Sequence, residues 1–206
     1  MAAENDRPLL RMFNVPNLLT MARLVLSVVV FVLVPCGWYF WALWVFIVAA
    51  STDWVDGYWA RRFNQVTQLG RIFDPFVDKI IVCGLFIFLA AEQGSGITAW
   101  MAVVVVGREL LVTALRGFIE QRGGDFSAKM SGKLKMVFQC VAGGFSLGAL
   151  MYAHEQAPAW LQMILPQAWL VGILPVLVWV AVLSTIYSGL QYVIAAMKYI
   201  LARTDI

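Results

Sequence analysis

Between Ser51 and Lys79 the chain reads STDWVDGYWARRFNQVTQLGRIFDPFVDK, and four aspartates stand in it as two pairs. Asp53 and Asp56 are three apart, Asp74 and Asp78 four apart, the two spacings that put side chains on one face of a helix. Gly57, Ala60 and Arg61 continue the first stripe, so two small residues leave room beside the acids and a guanidinium closes it. Asp74 precedes Pro75, which predicts an N-cap ahead of a proline at the first position of the next helix, with the two acidic pairs converging across the turn. Four carboxylates in a water-excluded pocket repel one another unless cations lie between them. Oxygen donors alone suit Mg²⁺ or Mn²⁺, and two such ions clamp a diphosphate for in-line displacement. The plainer alternative is a set of solvated loop acids or helix caps, and the apolar flanks weigh against it.

The elements that must hold these acids are membrane helices. Of 206 residues 62% are hydrophobic and 13% charged, which excludes an ordinary soluble domain. Apolar runs long enough to cross about 30 Å of hydrocarbon recur along nearly the whole chain, and only helices satisfy their backbone there in a chain of this pattern. The expected fold class is all-α, a polytopic bundle of six transmembrane helices with a short N-terminal interfacial segment. Residues 1–16 form that amphipathic segment and 17–200 the membrane domain. The expected spans are 17–34, stopped by Pro35-Cys36-Gly37; 38–60, carrying the first acidic pair; 75–91; 97–121; 131–152; and 169–197. Residues 61–73 are read as a connection, 92–96 as a turn, and 153–167, with Pro158 and Pro166, as a loop. Arg23, two turns into the first span, must snorkel or face a polar interior. Cys36, Cys83 and Cys140 read as small core residues, not as a disulfide framework. No cleavable signal is expected, and no nucleic-acid partner.

Six spans put both ends, the 61–73 connection and the loop near Gly123 on one side. All 15 Lys and Arg fall on that side or in the half-spans adjoining it, whereas the other side holds Glu92, His154 and Glu155. The positive-inside rule then makes both termini and the aspartates cytoplasmic, most naturally in a bacterial inner membrane.

The pattern Asp-x2-Asp-Gly-x2-Ala-Arg-x8-Gly-x3-Asp-x3-Asp, here Asp53, Asp56, Gly57, Ala60, Arg61, Gly70, Asp74 and Asp78, resembles the signature of the CDP-alcohol phosphatidyltransferases with every spacing intact. The resemblance implies that Asp53, Asp56 and Asp74 hold the metal pair. Asp78 is implied either as a fourth ligand or also as the base that takes a proton from the acceptor hydroxyl. CDP-diacylglycerol would lie along Asp56, Gly57, Ala60, Arg61 and Gly70, although Gly57 and Ala60 also suit close helix packing. The resemblance further implies a homodimer, for which Gly144 and Gly148 offer a small-residue face that equally suits packing within the chain.

The second half bears on the acceptor. Arg108 and Arg116 are eight apart and share a helix face, and Ser131-Gly132-Lys133-Leu134-Lys135 opens the fifth helix. These stretches, with Asn14–Thr20 and Arg23, are similar to the branch of the family that uses sn-glycerol 3-phosphate, which implies an acceptor-phosphate site at Arg108, Arg116, Lys133 and Lys135. Met136 departs from the threonine frequent there. Lys133 and Lys135 read alternatively as headgroup anchors. Other acceptors within the family (another phosphatidyl lipid or an inositol phosphate), a Mg²⁺-dependent membrane prenyltransferase and a non-catalytic membrane protein are the rival readings.

Overall fold

The computed structural model describes residues 15–63, 68–122 and 130–204, with side chains for 18–52, 76–122, 130 and 132–201. Nearly all of the expected interfacial segment lies outside the described residues. What is described is helical throughout: α1 (Val15–Leu33), α2 (Tyr39–Phe63), α3 (Gln68–Ala91), α4 (Ala99–Gln121), α5 (Met130–Ala153), α6 (Ala159–Ile164) and α7 (Gln167–Thr204). Two compact units divide the chain, Met1–Gly84 and Leu85–Ile206, with the boundary inside α3.

In the first unit α1 packs on α2. The turn between them closes as the residue types require. Gly37 adopts a left-handed φ of 74°, Trp38 N donates to Leu33 O at 3.0 Å and Gly37 N to Val34 O at 2.9 Å. That paired arrangement satisfies the last carbonyls of α1 at a glycine, where a left-handed backbone carries no Cβ penalty. Cys36 in this turn is exposed, so it is not the core residue its apolar neighbours predict. Gly84 on α3 leaves room for the Phe31 ring of α1, which a Cβ there would overlap.

In the second unit α4 and α5 each pack on α7. The buried positions of α4 (Met101, Ala102, Val105, Arg108, Glu109, Val112, Ile119) follow the helical period. On α5, Gly148 is buried, and a Cβ there would stand 3.3 Å from Leu170 of α7, so this glycine serves packing within the chain. On α7 the residues turned inward include Thr185, Ser188 and Tyr192, while the outward face carries Val176, Trp179, Leu183, Leu190 and Ile194. Polar groups inside and large apolar groups outside are the pattern of a helix solvated by lipid.

Among the described residues, Gly132–Ala153 and Gln167–Leu201 are long and apolar enough to cross a membrane, and Leu18–Leu33 and Tyr39–Thr52 are shorter apolar helices. The interior of α4 is interrupted by Arg108, Glu109 and Arg116.

Three boundaries differ from expectation. The 61–73 connection is mostly helix: α2 continues to Phe63 and α3 begins at Gln68. Gly70 is therefore helical and not in a loop, and Asp74 and Pro75 lie inside α3 and not at its start. Gly70 costs a helix about 1 kcal/mol, and Pro75 removes one donor, a loss that membrane helices tolerate. The expected 153–167 loop contains α6, and α7 is longer than the span predicted there. The prolines of this stretch initiate helices: Pro158 O accepts from Leu161 N at 2.9 Å and Pro166 O from Trp169 N at 3.0 Å, the helix-start position that suits a residue lacking its own N–H.

Candidate active site

Asp53, Asp56, Gly57, Ala60 and Arg61 belong to α2, and Gly70, Asp74 and Asp78 to α3. α2 is helical without interruption, so by register its five motif positions keep to one stripe. Of these eight side chains only that of Asp78 falls among the described ones. No group of three or more His, Cys, Asp or Glu gathers among the described residues.

Asp78 is held from across the first unit. Nη1 of Arg23 on α1 pairs with its Oδ1, the arginine being 2% exposed and the carboxylate 25%. Nε of Arg23 donates to Thr52 Oγ1 of α2 at 3.5 Å, and Thr52 in turn donates to Ala49 O at 2.7 Å. Three helices thus meet at one guanidinium. Of the two outcomes open to Arg23, it takes the polar interior. A buried pair of this kind adds little net stability, because desolvation offsets its attraction, but it fixes the direction in which the carboxylate points.

The second unit contains a cationic cluster. On α4, Arg108 donates through Nη1 to Glu109 Oε1 at 3.0 Å and through Nη2 to Ser188 Oγ of α7 at 2.7 Å. Lys135 of α5 pairs with the same Glu109 oxygen, and its Nζ lies 3.4 Å from Gln139 Oε1. Gln139 Nε2 donates to Thr185 Oγ1 of α7 at 2.8 Å. Arg116, two turns beyond Arg108, donates through Nη2 to the Tyr192 hydroxyl at 3.4 Å. Arg108, Arg116 and Lys135 are therefore brought together, whereas Lys133 is exposed. Nε of Arg108 and Nε of Arg116 are buried with no hydrogen-bond partner among the described residues. An orphaned buried donor costs about 1–3 kcal/mol, so two of them on arginines that share the Tyr192 ring mark a place suited to an anion.

Sequence reasoning missed Glu109, Gln139, Thr185, Ser188 and Tyr192 as members of this cluster. The signal available was polar residues at 185, 188 and 192, recurring at helical spacing along an otherwise apolar segment.

The sequence pattern of the CDP-alcohol phosphatidyltransferase family matches residues 13–187, and the chain belongs to that family. Within it, the chain is 32% identical to the CDP-diacylglycerol–glycerol-3-phosphate 3-phosphatidyltransferase of Bacillus subtilis (strain 168), over 88% of this chain and 94% of that protein. It is 36% identical to proteins of the same name from Shigella flexneri serotype 5b (strain 8401) and Escherichia coli (strain K12), over 89% of this chain and 95% of each.

Proposed function

We propose that this chain transfers the phosphatidyl group of CDP-diacylglycerol to the primary hydroxyl of sn-glycerol 3-phosphate, forming phosphatidylglycerol phosphate and CMP. The names of its relatives support the donor and acceptor together. The observation that carries the acceptor is the pair of buried Nε groups on Arg108 and Arg116, without hydrogen-bond partners among the described residues, in the cluster that holds Lys135. They offer a phosphate monoester charge-assisted hydrogen bonds away from the aspartates. Lys133, being exposed, is the outer member of the set.

At the donor end, aspartates belonging to two successive helices, Asp78 among them and paired with Arg23, are of the residue type that suits hard divalent cations. Asp53, Asp56, Asp74 and Asp78 would hold Mg²⁺ or Mn²⁺, and when bound these ions neutralise the diphosphate and stabilise the charge that builds on its oxygens. Gly57, Ala60, Arg61 and Gly70 make room for the cytidine diphosphate and balance its charge. Asp78 takes the proton of the acceptor hydroxyl, whose oxygen bonds to the β-phosphorus as the bond to CMP breaks.

The same reading includes six membrane crossings, with both termini and the aspartates on the cytoplasmic face of a bacterial inner membrane. The one-sided distribution of Lys and Arg supports it. It also includes a homodimer, which crosslinking of the purified protein checks.

The test is CMP release by the purified protein with CDP-diacylglycerol and a panel of acceptor alcohols. Glycerol 3-phosphate should be preferred over glycerol, inositol phosphate and phosphatidylglycerol, with activity abolished by EDTA and restored by excess Mg²⁺ or Mn²⁺. Preference for another acceptor overturns the acceptor assignment, and full activity in EDTA overturns the metal assignment.

A further inference from the structure

α7 contributes no group to the acceptor site as just described, yet it holds both arginines. Tyr192 is 1% exposed. Its ring centre lies 5.5 Å from Cζ of Arg108 and 5.9 Å from Cζ of Arg116, and its hydroxyl accepts from Arg116 Nη2 at 3.4 Å. One turn earlier, Ser188 Oγ accepts from Arg108 Nη2 at 2.7 Å. Two glycines lie against this pair, Gly189 closely and Gly132 at ordinary contact distance. A Cβ on Gly189 would stand 3.1 Å from Cγ of Arg108, and one on Gly132 would stand 3.5 Å from the Tyr192 hydroxyl. Arg108 is thus anchored at both Nη atoms, by Glu109 and Ser188, and Arg116 at Nη2, both against one shared aromatic ring, while the Nε of each stays unbonded among the described residues.

That is the arrangement of a pre-aimed phosphate receptor. A guanidinium is a planar fork, and anchoring one tine fixes the direction of the others. Side chains ordered beforehand lose less freedom when the anion arrives, which appears as affinity. The ring adds a cation–π attraction to both arginines at once. Ser188 and Tyr192 also lie just beyond residue 187, where the family match ends.

We propose that Tyr192, together with Ser188, is a positioning residue for the acceptor phosphate: it sets the directions of Arg108 and Arg116 before glycerol 3-phosphate binds and does not itself touch the substrate. This inference rests on the acceptor reading above and deepens it.

The test separates the two. Tyr192→Leu removes ring and hydroxyl and should raise KM for glycerol 3-phosphate about tenfold to a hundredfold. At saturating acceptor kcat, and the KM for CDP-diacylglycerol, should stay near wild type. Tyr192→Phe keeps the ring and loses one long hydrogen bond, so its KM should rise only about threefold. Ser188→Ala should raise the acceptor KM and Ser188→Thr should restore it. Calorimetric titration of glycerol 3-phosphate into the detergent-solubilised protein, with no CDP lipid present, should give the same order of affinities. Should Tyr192→Leu fail to fold, Tyr192→Phe and the two Ser188 variants decide the matter by themselves. If Arg116→Ala weakens acceptor binding while the Tyr192 and Ser188 variants bind like wild type, the positioning role is overturned and the acceptor site stands. Equal loss of affinity for both substrates also overturns it, since that is the mark of a packing role alone. If Arg108→Ala and Arg116→Ala leave acceptor binding unchanged, the acceptor reading itself falls.

Discussion

Removing the guanidinium of Arg23 takes one charged partner from a largely buried carboxylate, because Asp78 is paired there at 25% exposure. Breaking a buried pair from one side costs about 3–5 kcal/mol, and the exposed part of Asp78 places the expected loss near the lower end. Arg23→Ala should therefore lower Tm clearly, Arg23→Lys less, and Arg23→Ala combined with Asp78→Ala less than the sum of the single changes. A wild-type Tm for Arg23→Ala would show that the pair has no structural role. Asp78 also bears on the chemistry. Asp53→Asn should weaken metal and nucleotide binding together, whereas Asp78→Asn should abolish turnover and keep much of the affinity for CDP-diacylglycerol. Equal loss of metal binding in both variants makes Asp78 a ligand only and places the base elsewhere. At this scale the family was legible because eight specified positions stand at fixed spacing within 26 residues, from Asp53 to Asp78. The groups that hold the second cluster were not. Ser188 and Tyr192 meet their arginines across 80 and 76 residues of chain, and no local spacing encodes such a meeting.

Helix ends carry the clearest consequences at the level of elements. α5 finishes much as α1 does, with Gln156 N donating to Met151 O at 2.9 Å and Glu155 N to Tyr152 O at 3.1 Å. The left-handed position, glycine in the first case, is here Glu155 with φ 57°. A side chain there costs about 1–2 kcal/mol, so Glu155→Gly should stabilise the protein by about 1 kcal/mol, read as a higher Tm in detergent. A Tm unchanged or lowered would mean that the Glu155 side chain contributes something that offsets the strain. Gly84→Ala should act in the opposite sense by about 1–3 kcal/mol, because the new methyl group overlaps the Phe31 ring. The turns at 35–37 and 92–96 were legible from their glycines, since Gly37, Gly94 and Gly96 all have positive φ. The starts of α3, α6 and α7 were not, because a proline signals the first turn of a helix as readily as its absence, and only the hydrogen bonds around Pro158 and Pro166 distinguish the two.

For the whole molecule, the expected six crossings predict that cysteines placed at Gln65 and Gln156, in a background lacking Cys36, Cys83 and Cys140, label from opposite faces of the membrane, Gln65 from the cytoplasm. Labelling of both from one face overturns the count. The cluster on α4 also has a consequence for how the protein is made. A central Arg or Asp on a helix entering hydrocarbon costs about 2.5–3.5 kcal/mol, and α4 presents Arg108, Glu109 and Arg116 on one stripe. The groups that receive those charges are synthesised later: Lys135 arrives 26 residues after Glu109, Ser188 80 residues after Arg108. A ribosome-bound chain ending before α7 therefore has α4 without Ser188 and Tyr192, and that helix should still be open to protease at the translocon. Extending the same chain past Tyr192 should make it resistant. On that expectation α4, although translated before α5 and α7, should commit to the bilayer only when they are there to receive it.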